Sequence, residues 1–261
     1  MTGCHGMTEP SRSQRARTLP YALRHPRRLL RYARCQVRDG LLGLRPFDHL
    51  SYYRVAMRAG AARSPELAVG SRTHEEWLRH GQFQFDYLLG HELQPSDRVL
   101  EIGCGNLRAG RLFIDYLDAG NYYGLDISPD ILLAAQRTLV EYGLQAKLPH
   151  LFVVSDLTFS FLPSSHFSIV HAHSVFSHSP IDVIDQCLAN VGRIMVPGAF
   201  FDFTFHKTEG TEHHLLGWAY YYRSETLLAL ARSHGLEARV MTDWQQLGGL
   251  QSKIRVTMPG H

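Results

Sequence analysis

The sequence predicts an α/β fold: a mostly parallel sheet with helices on both faces. Three observations carry that prediction. From residue 98 onward, short apolar runs alternate with amphipathic stretches, the signature of strand–helix units. The first run ends in the bend Gly103-Cys104-Gly105, and a helical stretch follows it. The last two runs have no helical stretch between them, which implies an antiparallel pair at one edge.

A chain of 261 residues accommodates one such domain plus an extension. With 44% hydrophobic and 20% charged residues it reads as globular. No run approaches the roughly 18 apolar residues of a membrane span, and no early apolar block reads as a secretory signal. Cys4, Cys35, Cys104 and Cys187 are scattered without a C-x-x-C pair, so neither a disulfide framework nor a structural zinc site is expected. A reducing cytoplasm is the expected compartment.

Residues 1–25 are polar, Arg-rich and poor in apolar side chains, and read as a disordered arm. Residues 26–71 read as a basic helical extension. Pro26 is suited to open a helix. Leu30, Ala33, Val37, Leu41 and Leu44 recur at helical spacing, with Arg27, Arg31, Arg34 and Arg38 on another face. Ten arginines face one acid, Asp39, between positions 12 and 45. The net charge of +3 therefore conceals a basic arm at +9 and a remainder at −6. Three readings of this helix stay open: packing on the main domain with its arginines in water, anchorage to anionic lipid or another acidic partner, or organelle targeting.

Residues 72–261 form the main domain. Thr73-His74-Glu75-Glu76 has the form of a capping box and opens a helix bounded by Pro95. Strands follow at 98–102, 122–125, 151–154, 167–172, 199–205, 237–241 and 253–258. Helices are expected at 108–117, 129–142, 181–194 and 224–234.

The run Val99-Leu100-Glu101-Ile102-Gly103-Cys104-Gly105-Asn106-Leu107-Arg108 carries the functional information. A dinucleotide fingerprint, G-x-G-x-x-G/A, would need a small residue where Arg108 stands. The Glu-x-Gly-x-Gly form, with an acid two residues before the first glycine, resembles motif I of class I S-adenosylmethionine (SAM) methyltransferases. That family often has a third glycine where this chain has Leu107. Asp126 lies 23 positions after Gly103 at the end of the second strand, where an acid can accept from both ribose hydroxyls. Asp156 and Leu157 close the third strand.

The resemblance covers about residues 72–258. It implies a seven-stranded Rossmann-like sheet of order 3-2-1-4-5-7-6, with SAM as cofactor. It also implies a cofactor site of Glu101, Gly103, Cys104, Gly105, Asp126, Ile127, Asp156, Leu157 and His173, with Asp156 facing the adenine amino group and Leu157 packing on the ring.

Methyl transfer from SAM requires alignment above all. A base is needed when the acceptor is a poor nucleophile such as a hydroxyl. Histidine suits that role, and His171, His173 and His178 cluster at the end of the fourth strand. His178 lies in Ser-Val-Phe-Ser-His, similar to a Ser-Val-Phe-Thr-His segment of many small-molecule methyltransferases. It reads as catalytic together with His173, or alternatively as a helix cap. His171-x-His173 could chelate a metal, but no paired acid or cysteine supports it, and no metal is expected. His206, Trp218 and Tyr221 fall in a long connection, 206–222, which reads either as an aromatic lid over the acceptor or as a small core beneath a loop.

The expected function is methyl transfer to a small-molecule hydroxyl, on a sugar, a lipid-linked glycan or a secondary metabolite. Protein or nucleic-acid methylation and non-catalytic SAM binding remain alternatives. Nucleic acid is disfavoured because no Asn/Asp-Pro-Pro-Tyr/Phe motif follows the fourth strand.

Overall fold

The computed structural model describes residues 12–41, 49–246 and 251–259. Helices α1 (Arg12–Arg24), α2 (Pro26–Leu41), α3 (His49–Ala61) and α4 (Pro65–Ala68) precede the main domain. The disordered arm expected to reach residue 25 is corrected over Arg12–Arg24, which is helical. Tertiary contacts supply what the composition lacks. Ala22 is buried, the Tyr21 ring lies 4.5 Å from that of His25, Arg28 donates to the Tyr21 hydroxyl, and Arg17 bonds Nδ1 of His213 at 3.2 Å. Positions 1–11 and 42–48, including Leu44 and Arg45, lie outside the described residues.

Helix α5 (His74–Leu89) starts where the capping box predicts. Thr73 accepts from the Glu76 amide, while the Glu76 carboxylate reaches back one residue further, to the Arg72 amide. The domain then runs β1 (Val99–Ile102), α6 (Gly110–Tyr116), β2 (Tyr122–Asp126), α7 (Pro129–Glu141), β3 (His150–Val153), β4 (Phe167–Ala172) and α8 (Ile181–Ile194). It continues with β5 (Met195–Lys207), β6 (His213–Leu215), β7 (Ala219–Tyr222), α9 (Ser224–Ser233), β8 (Glu237–Val240), α10 (Thr242–Gln246) and β9 (Ser252–Thr257).

Strands β3, β2, β1, β4 and β5 pair in parallel in that order. β9 lies antiparallel on β5, and β8 antiparallel on β9. This is the expected 3-2-1-4-5-7-6 order when β8 and β9 are counted as the sixth and seventh strands. The structure adds the hairpin β6–β7, whose second strand pairs with His206 and Lys207 at the far end of β5, giving nine strands among the described residues. β5 begins earlier than expected. Met195 already pairs with Phe167, and the register slips before Ile169 meets Phe200, a bulge that absorbs Pro197-Gly198.

Alternation along β1 assigns its side chains to two cores. Leu100 and Ile102 join Val170, Phe201 and Phe203 beneath Ile184, Leu188 and Leu227 of α8 and α9. Val99 and Ile169 face the opposite layer, with Phe113, Leu139 and Leu88 of α6, α7 and α5. Every residue of β1 is buried, as a strand sandwiched between helix layers must be. Glu101 therefore projects into the α5–α7 layer, just before the chain leaves the sheet.

Candidate functional site

The bend after β1 is clamped from three sides. Trp77 of α5 donates Nε1 to Asn106 at 2.9 Å, and Thr138 of α7 donates to the Asn106 carbonyl at 3.0 Å. Arg108 donates to the Val69 carbonyl at 2.7 Å. Gly103 has φ +71°, and a Cβ there would stand 2.4 Å from Cγ2 of Val175, so only glycine satisfies both the turn and the approach of the β4 loop. Leu107 has φ +64°. The position where the resembled family often has glycine keeps the left-handed conformation, and full burial of the leucine offsets its strain.

Glu101 is buried and accepts from the Tyr122 hydroxyl at 2.5 Å. Burial raises its carboxyl to about 7, opposed by the Tyr122 hydrogen bond and the nearby Arg108 charge. Gly110 makes that pairing possible, because a Cβ there would fall 2.4 Å from the Tyr122 hydroxyl. Asp126 is held at both oxygens, by the Gly105 amide at 3.0 Å and the Ser128 amide at 2.8 Å. Burial raises it to about 6 against those backbone bonds. Each of its oxygens keeps a lone pair for a further donor. Asp156 is exposed and held low by the hydroxyl and amide of Thr158, and the Leu157 amide donates to Gln186 at 2.8 Å.

These groups line one cleft of about 1520 Å³. Its walls include every residue expected at the cofactor site, together with His178 and Trp218. The volume exceeds the roughly 300–1,000 Å³ of a single-ligand pocket, so it has room for a second molecule.

His178 donates Nδ1–H to the Trp218 carbonyl at 2.6 Å. That bond fixes the tautomer and leaves Nε2 with its lone pair. Burial lowers His178 to about 4, against the pull of the carbonyl, so the ring is neutral at physiological pH. Trp218 stacks on Tyr53 of α3, with centroids 5.4 Å apart and planes 12° apart, and the Arg28 guanidinium lies 4.8 Å over the indole. His173 also lines the cleft. Its Nδ1 is buried with no hydrogen-bond partner among the described residues, and burial drives its pKa well down. Among those residues no group of three or more His, Cys, Asp or Glu side chains is placed to hold a metal ion.

Two expected substrate contacts are corrected. His206 and Tyr221 do not line the cleft; they stack on each other at 5.0 Å, with His213 on Tyr221 at 4.6 Å. The segment expected to be a loop is largely a β-hairpin, and strand alternation turns Tyr220 and His214 toward the cleft instead.

Sequence reasoning also missed the wall built by the N-terminal helices. His49, Leu50, Tyr53 and Met57 of α3 line the cleft with Arg28 and Tyr32 of α2. Arg54 fastens α3 to the sheet, donating Nε to the Ile127 carbonyl at 2.7 Å and a terminal nitrogen to the Val154 carbonyl at 3.1 Å. No local pattern marks that arginine. On α5, His80, Phe83 and Gln84 also face the cleft, and their spacing around Gly81 was the available signal.

Comparison with known proteins agrees with this geometry. Residues 100–201 match a family model described as a methyltransferase domain. A mouse protein, EEF1A lysine methyltransferase 4, is 32% identical over 142 residues, covering 48% of this chain and 52% of its own length. The Aspergillus luteorubrus protein "Probable methyltransferase ltbC" is 25% identical over 144 residues, covering 53% of this chain and 50% of its own. The chain thus spans about half the length of the curated relatives it matches. Among solved structures, magnesium protoporphyrin IX methyltransferase from Synechocystis PCC 6803 with bound SAM superposes with a TM-score of 0.59 at 16% identity, over 82% of this chain and 98% of that one. At that identity the likeness is one of fold.

Proposed function

We propose, for a chain that carries a methyltransferase domain on a Rossmann-like sheet, that it transfers a methyl group from SAM to a hydroxyl of a small-molecule acceptor. The observation that carries this reading is His178, held by Trp218 as a neutral imidazole with Nε2 free, in the same cleft as the Glu101–Gly103–Asp126 constellation.

The residues present fit the cofactor. Glu101 offers a buried carboxylate to its ammonium group, Gly103 and Gly105 let it approach the backbone, and Asp126 has lone pairs free for the two ribose hydroxyls. Cys104 and Ile127 also line the cleft, Asp156 and Leu157 would hold the adenine end, and His173 stands just past the end of β4. When bound, SAM supplies a methyl carbon already activated by positive sulfur.

In the methyl-transfer step that bound SAM would supply, His178 would take up at Nε2 the proton lost by the acceptor hydroxyl. The Trp218 carbonyl stabilises the resulting imidazolium through Nδ1–H. Tyr53, Trp218 and Tyr220 line the cleft with aromatic surface that suits a ring-bearing acceptor and excludes water.

The experiment is product analysis after incubation with methyl-labelled SAM and panels of hydroxylated small molecules, amines and proteins. Label in an O-methyl ether of a small molecule is the expected result. Label confined to protein lysines, the chemistry named for the mouse relative, would replace this reading.

A further inference from the structure

We propose that α2 docks this protein on anionic lipid bilayers through its outward face. One sector of α2 belongs to the domain: Cys35 is buried, and Arg28 and Tyr32 line the cleft. At about 100° per residue, Leu30, Ala33 and Val37 share the opposite sector. That sector faces solvent, with Leu30 54% and Val37 61% exposed. α2 thus packs on the domain, as one of the expected readings has it, but through the sector of Arg28, Tyr32 and Cys35, and the periodic apolar stripe is not the packing face. Arg27 and Arg34 are exposed and flank the stripe. α1 repeats the theme, with Leu19, Leu23 and Arg24 exposed.

The occupant follows from charge and polarity together. Ten arginines against one acid between positions 12 and 45 call for an anionic surface. An acidic polymer such as a nucleic acid matches the arginines, but its phosphates offer leucine and valine nothing. An anionic bilayer accepts both, with guanidinium groups at the headgroups and apolar side chains at the acyl boundary. No helix among the described residues is long and apolar enough to cross a membrane, and an in-plane helix needs no such length. Because the inner face of α2 lines the cleft, docking through the outer face leaves the helix as the wall between the cleft and the bilayer. That last consequence rests on the proposed methyl-transfer site; the docking itself does not.

The test is co-sedimentation of the intact protein with phosphatidylcholine vesicles and with vesicles containing roughly a third phosphatidylserine. Partition into the anionic vesicles alone, weakened by salt, is expected. At about five-fold per arginine, the pair Arg27→Glu and Arg34→Glu reduces it by at least about 25-fold. The pair Leu30→Asp and Val37→Asp also reduces it, by at least about ten-fold. Both double variants should retain the wild-type unfolding transition, since the replaced side chains are exposed. The proposal is overturned if wild type does not partition, if either double variant partitions like wild type, or if only heparin retains the protein. It is equally overturned if ultracentrifugation shows self-association that the Leu30/Val37 variant abolishes. No arm depends on methyl transfer, so failure of the functional reading would leave these results interpretable.

Discussion

Nδ1 of His178 and the main-chain carbonyl of Trp218 meet at 2.6 Å, joining the loop after β4 to the hairpin β6–β7. A hairpin that looks like a peripheral addition to the sheet thereby sets the tautomer of a histidine in the cleft. Replacing His178 by alanine should lower kcat about 100-fold or more while SAM affinity stays within a few-fold of wild type. Steady-state kinetics beside calorimetry checks this, and unchanged turnover removes His178 from the role of base.

Glu101 provides a pH signature. Burial holds its carboxyl at about 7, against an ordinary value of 4.5. Between those values the native state binds a proton that the unfolded chain has released. Ligand-free stability should therefore be fullest below about pH 4.5 as far as this group is concerned, and should fall as pH rises through about 7. Asp126, raised to about 6, acts in the same direction. Glu101→Gln should flatten part of that decline, by at most about 3 kcal/mol, as read from unfolding midpoints across pH 5 to 8.

SAM affinity should show the opposite trend. A cationic ligand selects the ionised carboxylate, so affinity rises by up to about ten-fold per pH unit below about 7 and levels off above it. In Glu101→Gln that dependence should largely vanish and binding should weaken at pH 8. Calorimetry in buffers of differing ionisation enthalpy also reads the proton released.

Arg54 joins the N-terminal helices to the cofactor end of the sheet through the carbonyls of Ile127 and Val154. Arg54→Ala should weaken SAM binding about five- to ten-fold, mainly through faster dissociation, at about 1 kcal/mol for a half-buried charged hydrogen-bonding group. Lysine should rescue little, because one ammonium lacks the fork that reaches both carbonyls. Stopped-flow dissociation rates distinguish this from simple loss of folding.

Gly103→Ala should cost about 1–3 kcal/mol of stability and most of the cofactor affinity, through the Val175 contact and the left-handed φ together. Adding Val175→Ala removes the clash and leaves the φ strain, so partial recovery is expected in thermal unfolding.

The sheet was legible because buried parallel strands read as short apolar runs and their helices as amphipathic stretches. β4 and α8 fall at the residues the pattern marks. The acids at the ends of β1, β2 and β3 were legible because their spacing is fixed by strand length. The hairpin was not, since β6 and β7 have three and four residues and turn through Leu216 and Gly217, both with positive φ. Tyr220-Tyr221-Tyr222 hides the alternation, as all three residues are alike in polarity although their surroundings differ. For α2, periodicity defined two faces without telling which one meets the domain. That choice depends on Tyr32 and Cys35 finding partners far away in sequence.

The claim on which the rest depends is that the cleft below the β1 bend binds SAM. Calorimetric titration of the protein with SAM and, separately, with NAD tests it most directly. Saturable one-site heat with SAM, weakened in Glu101→Gln and Asp126→Ala, and no heat with NAD is the predicted result. Stoichiometric NAD binding, or no SAM binding by folded protein at pH 8, would contradict it.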